Sequence, residues 1–165
     1  TILHFDAHPD LYDDFEGNPR SHASPFARIM EAGHATRLVQ VGIRTLTRHC
    51  HEQATRFGVE IISMENFHPD QVPVLEGPLY ISIDLDGIDP SEAPGVSHPA
   101  PAGLTVREVL AALSRQNAVI VGADIVELNP KRDIGGVTAI LAAKLVRELA
   151  ALIHRNNKIS KEQEA

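Results

Sequence analysis

The sequence predicts an α/β domain built on a mainly parallel sheet. Five short runs rich in apolar and β-branched residues alternate with segments whose apolar residues recur at helical spacing. Each run is almost continuously apolar, which is typical of strands buried on both faces of a parallel sheet. The predicted strands are 2–5, 38–43, 59–64, 79–85 and 118–125.

Helices are predicted between and after these strands. Thr105 is placed to cap the third helix, and Glu108, three residues further on, is placed to complete a capping box. The last helix is followed by a polar stretch, so we predict a domain over 1–157 and a polar C-terminal tail over 158–165. The predicted helices are 25–32, 46–57, 105–115 and 136–154.

Composition narrows the possible functions. With 165 residues, of which 43% are hydrophobic, the chain is long enough for one globular domain. The formal net charge of -7 argues against nucleic acid or an anionic membrane as partner, and it fits a metal ion or a small cation. The sequence has no apolar run long enough to span a bilayer and only one cysteine, Cys50. We therefore predict a cytoplasmic protein.

Carboxylates and an imidazole follow two of the predicted strands. Asp6, His8 and Asp10 come directly after the first strand, and Asp84 and Asp86 lie at the end of the fourth. Ligands in open α/β sheets bind outside the carboxyl ends of the strands. Because carboxylate oxygens and imidazole nitrogens are ligands of divalent ions, the two acidic strand ends predict one shared cation site.

The sequence contains four notable motifs: DAHPD (6–10), SIDLDGIDP (82–90), PGVSHPAPAGLT (94–105) and DIVELNP (124–130). Together these motifs resemble the ureohydrolase family, which includes arginases and agmatinases. The resemblance implies a three-layer α/β/α fold of the arginase type and a site for two Mn²⁺ ions. It also implies that this is the C-terminal portion of a longer chain, because the family's Gly-Gly-Asp-His motif, which supplies a further metal ligand, is absent.

The same resemblance implies a set of metal ligands. Asp6 and Asp84 would each bridge the two ions, Asp10 would bind one ion, and His8 and Asp86 would bind the other. In this scheme a hydroxide shared by the ions attacks the carbon of a small guanidino substrate and yields urea and an amine.

Other polar residues are assigned roles other than metal binding. By resemblance, Glu127 would bind the guanidinium through charge-assisted hydrogen bonds, and His22 would carry a proton toward the leaving amine. Asp124 is interpreted as an orienting group rather than a ligand. His98 lies in the loop after the fourth strand and could line the mouth of the pocket, but it is interpreted as a solvated loop histidine. His4 is interpreted as a core or orienting group.

The loop over 18–26 favours agmatine as substrate. It is similar to the agmatinase pattern Asn-Pro-x-x-His-Gly-Thr-Pro-Phe, except that Ala23 stands at the glycine position. Arg20 could instead attract a carboxylated substrate such as guanidinobutyrate. Arginase activity, an inactive metal-binding or regulatory homologue, and a single-zinc amidohydrolase remain alternatives. The family resemblance also implies a homo-oligomer, either a trimer or a hexamer.

Overall fold

The computed structural model describes residues 1–163, with side chains through residue 159, and contains a five-stranded parallel sheet. The strand order is β3-β2-β1-β4-β5, and every neighbouring pair is parallel. The predicted parallel α/β class is therefore confirmed. The strands are β1 (Ile2–Phe5), β2 (Leu38–Ile43), β3 (Glu60–Ser63), β4 (Leu79–Asp84) and β5 (Ile120–Val126).

Helices cover both faces of the sheet. Successive residues of β1 point to opposite faces, so that Ile2 packs with the first two helices and Leu3 packs with the last two. The arrangement is the three-layer α/β/α architecture implied by the resemblance. The helices are α1 (Pro25–Glu31), α2 (Arg48–Phe57), α3 (Val106–Ser114) and α4 (Val137–Gln163).

The last helix is longer than its apolar pattern predicts. It continues to Gln163 instead of ending at residue 154, while residues 164 and 165 of the predicted tail lie outside the described residues. Asn156 is buried and donates to the carbonyls of Gln116 and Ala118, each at 3.0 Å. This part of the helix is held by polar contacts, which a search for apolar periodicity does not detect.

The capping box of α3 forms as predicted. Thr105 Oγ1 accepts from the amide of Glu108 at 3.2 Å, and Glu108 Oε2 accepts from the amide of Thr105 at 2.7 Å. Two of the free amides at this helix end are thereby satisfied. The cap fixes where α3 begins after the long segment that follows β4.

The sheet has a topological switch point between β1 and β4. From β1 the chain proceeds to β2 on one side, whereas β4 pairs with the other side of β1. The connections therefore diverge and leave a crevice outside the carboxyl ends of these two strands, where ligands bind in this class of fold. In residues 1–163 no helix combines the length and apolar character needed to cross a membrane.

Candidate active site

Three side chains converge at this crevice as a candidate metal-binding group. Ligand atoms of Asp6, His8 and Asp86 all lie within 4.8 Å of one another. His8 Nδ1 is 3.1 Å from Asp86 Oδ2 and 3.4 Å from Asp6 Oδ1. Both aspartates are almost completely buried, and His8 is partly exposed to the crevice. The two acidic strand ends therefore meet as the sequence predicts.

Close backbone packing brings the two strand ends together. A Cβ added to Gly87 would lie 2.8 Å from the amide nitrogen of Asp6, so a side chain larger than a hydrogen atom does not fit there. The amide of Ala7 donates to Asp86 Oδ1 at 3.3 Å, and the amide of Asp86 donates to Asp84 Oδ1 at 2.8 Å. Each carboxylate is thus oriented by the backbone of its own or the neighbouring strand end.

Burial and mutual repulsion together raise the pKa values of most carboxylates in this cluster. Burial, followed by the charge of Asp6, raises the pKa of Asp10 to about 9 and that of Asp84 to about 10. Burial also raises the pKa of Asp86. Hydrogen bonds to Asp6 and Asp86 raise the pKa of His8 to about 10. A divalent cation would neutralise these groups, and the oxygen-rich donor set with one imidazole fits such an ion.

Asp6 differs from these carboxylates because its pKa is lowered. Burial alone would raise its pKa, but the hydrogen bond and charge of His4, together with hydrogen bonds that involve His8, bring it below the ordinary value. Asp6 is therefore the carboxylate that stays ionised when its neighbours hold protons.

A cavity of about 250 Å³ lies directly above the cluster. Asp10 and Glu127 both line it, and both have positive φ angles, of 50° and 66°. This backbone conformation is unusual for residues other than glycine, and at binding sites it is often maintained because it aims a side chain. The remaining lining residues are Asp6, His8, Pro9, Tyr12, Phe15, His22, Ala23, Thr45, Thr47, Asp84, Asp86 and His98.

Two histidines face each other at the mouth of the cavity. The rings of His22 and His98 are nearly parallel, with centroids 5.9 Å apart and an interplanar angle of 9°. His98 also lies edge-on to His8, with centroids 6.3 Å apart. Sequence reasoning treated His98 as a solvated loop residue. It is exposed, but its ring lines the site, and its only sequence signal is its place within the motif over 94–105.

Arg44 anchors the segment that carries His98, and sequence reasoning missed it. Its guanidinium donates to the carbonyls of Asp86, Gly87 and Ala100, at 2.7, 3.1 and 2.6 Å. Planar, multidentate donation of this kind is specific to arginine. Because one side chain bonds both ends of the segment over 86–100, that segment is folded back over the crevice.

Asn129 ties the Glu127 loop to the same segment. Its side-chain amide donates to Ser97 Oγ at 3.0 Å, and its backbone amide donates to the carbonyl of Gly95 at 2.7 Å. These two hydrogen bonds connect the loop after β5 to the loop after β4. Glu127 and His98 approach the cavity from these two connected loops.

Asp124 and His4 occupy supporting positions. Both carboxylate oxygens of Asp124 accept from β4, with Tyr80 Oη at 2.8 Å and Ser82 Oγ at 2.7 Å. These two hydrogen bonds support an orienting role for Asp124 within the sheet. His4 is buried, and its Nε2 lies 3.0 Å from Asp6 Oδ2.

The chain is similar to arginases from plants. It is 57% identical over 159 residues to the mitochondrial arginase of Medicago truncatula and 56% identical over 163 residues to mitochondrial arginase 1 of Arabidopsis thaliana. These matches cover 91% and 93% of this chain, and 47% of each relative. An agmatinase of Bacillus anthracis is more distant, at 35% identity over 90% of this chain and 53% of the relative. The chain thus spans about half the length of these relatives.

The names of these relatives correct one prediction. Both plant arginases are named as mitochondrial, which contradicts the predicted cytoplasmic location. That prediction rested on the low cysteine content and on the lack of an apolar run long enough to span a bilayer. A low cysteine content indicates a reducing environment, but it does not distinguish one reducing compartment from another.

The structure agrees with the sequence matches. The solved arginase from Medicago truncatula superposes with a TM-score of 0.89 at 55% sequence identity, covering 92% of this chain and 50% of that chain. The sequence model of the Arginase family matches residues 1–151 and includes each of the motifs at the strand ends. The chain therefore belongs to the arginase family.

Proposed function

We propose that the protein hydrolyses the guanidino group of L-arginine to give urea and ornithine. The observation that carries this proposal is the convergence of a buried Asp and His group, Glu127 and His22 on one cavity at the switch point of the sheet. The plant arginases in the comparison, at 56 and 57% identity, support arginine as the substrate.

This proposal replaces the agmatine preference suggested by the loop over 18–26. The agmatinase relative shares 35% identity, compared with 57% for an arginase. The cavity wall carries the hydroxyls of Tyr12, Thr45 and Thr47. The Thr45 hydroxyl donates to the carbonyl of Ala7 at 2.8 Å and the Tyr12 hydroxyl donates to Thr47 Oγ1 at 3.4 Å, so among these three the Thr47 hydroxyl is the one that could donate to a substrate carboxylate.

The metal ligands in this proposal are five residues at the ends of β1 and β4. Carboxylate oxygens predominate among them, which suits manganese, and a single imidazole is compatible with that ion. The bound ions would lower the pKa of water toward neutrality and act as Lewis acids. The proposed ligands are Asp6, His8, Asp10, Asp84 and Asp86.

The remaining residues bind the substrate and handle a proton. The carboxylate of Glu127 would accept hydrogen bonds from the planar guanidinium and so hold its carbon above the acidic cluster. His22, at the cavity mouth, would give a proton to the departing amine nitrogen, because an imidazole nitrogen can act as a general acid. Homo-oligomerisation, as a trimer or hexamer, stays a prediction.

Urea release by the manganese-loaded protein, in the longest form its gene encodes, tests the proposal. Arginine, agmatine and guanidinobutyrate are compared at equal concentration, and we expect kcat/KM to be highest for arginine. An Asp84→Ala variant should lose both metal and turnover. Urea from agmatine alone would make the protein an agmatinase. Two bound metals with no urea from any substrate would favour an inactive metal-binding homologue.

A further inference from the structure

Three buried polar side chains form a hydrogen-bonded chain behind the metal-binding group. Gln40 Nε2 lies 3.1 Å from His4 Nδ1, and His4 Nε2 lies 3.0 Å from Asp6 Oδ2. The exposed fractions of Gln40, His4 and Asp6 are 0%, 1% and 1%. Buried polar groups are costly unless they are bonded, so this chain is a fixed part of the interior.

The carbonyl of Pro9 sets the direction of the chain. It can only accept, and Gln40 Nε2 donates to it at 2.7 Å, which fixes which end of the amide faces His4. The amide nitrogen is also only a donor, so His4 Nδ1 must accept. His4 then carries its proton on Nε2, directed at Asp6. The chain therefore runs from Gln40 through His4 to Asp6.

Strand register and ring packing hold the chain in place. Gln40 of β2 is the direct partner of His4 in β1, so both side chains lie on the same face of the sheet. The ring of Phe26 packs on the His4 imidazole with centroids 4.0 Å apart. Asp6 Oδ1 accepts from the amide of His8 at 2.6 Å, which leaves Oδ2 for His4. Both carboxylate oxygens of Asp6 thus have assigned partners.

We propose that Gln40 and His4 are positioning residues that hold the Asp6 carboxylate in the orientation needed to bind metal. The proposal rests on the assignment of Asp6 as a metal ligand under the proposed function, but it does not depend on the substrate. Groups that orient a metal ligand typically change metal affinity by about 10- to 100-fold when they are removed.

Manganese binding by the purified protein tests this role directly. Gln40→Met keeps the side-chain length and removes both donors, and His4→Phe keeps a ring against Phe26 and removes the bond to Asp6. For each variant we expect the dissociation constant for Mn²⁺, measured by calorimetry, to rise about 10- to 100-fold. The double variant should lose no more Mn²⁺ affinity than the more affected single variant, because the two residues act as one hydrogen-bonded chain.

Gln116→Met is the matched control. Gln116 is also a fully buried glutamine, and it binds the backbone at Leu75 and Pro73, away from the acidic cluster. This variant should lower the melting temperature and leave Mn²⁺ affinity unchanged. Unchanged affinity in both folded test variants, or an equal loss in the control, would overturn the proposal. If the wild-type protein binds Mn²⁺ but releases no urea, the arginase proposal fails while this one is still decided by the affinities.

Discussion

Metal binding should release protons, because the groups proposed as ligands hold protons in the metal-free protein. The pKa is about 10 for His8, about 9 for Asp10 and about 10 for Asp84. A group is protonated below its pKa, so all three carry a proton at pH 7.5. Metal ligands must be deprotonated, and each group that binds must therefore give up its proton. Asp6, whose pKa is lowered, releases none.

The expected release at pH 7.5 is therefore about three protons when both ions are bound. Mn²⁺ affinity should rise steeply from pH 6 to pH 8, because fewer protons compete as the pH increases. The dependence should flatten between about pH 9 and 10, where the metal-free groups lose their protons unaided. If the carboxylates were already ionised and His8 did not bind, Mn²⁺ affinity would not change with pH over this range.

Calorimetric titration at fixed pH, in buffers with different ionisation enthalpies, measures the proton release directly. Asp10→Asn, which keeps an oxygen atom for its one ion, should reduce it by about one proton. Asp89→Asn is the control: hydrogen bonds from Ser91 and Gly103 lower the pKa of Asp89 to about 2, so it carries no proton to release. A release well below one proton, or an unchanged release in Asp10→Asn, would refute the reasoning.

Substitutions at three further positions test other parts of the site and fold. Glu127→Gln should keep the metal content and raise KM at least about tenfold, because the neutral amide loses the charge-assisted hydrogen bond to the guanidinium. Loss of metal in this variant would contradict the substrate-binding role of Glu127. His98→Ala should lower kcat about 10- to 100-fold, because the ring of His22 loses the ring that packs against it. His98→Phe should restore much of this kcat, and the surface variant His51→Ala is the control. Equal losses of kcat in the alanine and phenylalanine variants would exclude ring packing as the cause. Thr105→Ala should lower the free energy of unfolding by about 1 kcal/mol in denaturant titration, and an unchanged midpoint would show that the capping box contributes nothing.

The parts of the site that follow buried strands could be predicted from the sequence. Apolar runs that end in carboxylates locate Asp6 and Asp86 at the ends of two strands, and parallel pairing brings the carboxyl ends of neighbouring strands to one edge. The capping pattern at Thr105 is equally local, since its partner is three residues away. Local patterns of this kind need no knowledge of the tertiary fold.

The residues that sequence reasoning missed act across long stretches of chain. Arg44 bonds the carbonyl of Ala100, 56 positions away, and Gln40 bonds His4, 36 positions away. Asn129 reaches Ser97, 32 positions away, and so connects the loops that carry Glu127 and His98. Each of these contacts is made to a backbone carbonyl or to one side chain. A contact of this kind leaves no periodic pattern in the sequence.

The acidic cluster destabilises the folded protein, and neighbouring groups in the interior reduce this destabilisation. Buried carboxylates repel each other, and the raised pKa values of Asp10 and Asp84 show that protons offset part of the charge. Arg44 places a cation beside the backbone of Asp86, and the chain through His4 stabilises the ionised form of Asp6. An apolar edge would be more stable than this arrangement. The cluster is therefore best explained by a divalent cation, whose binding turns the repulsion among these carboxylates into affinity.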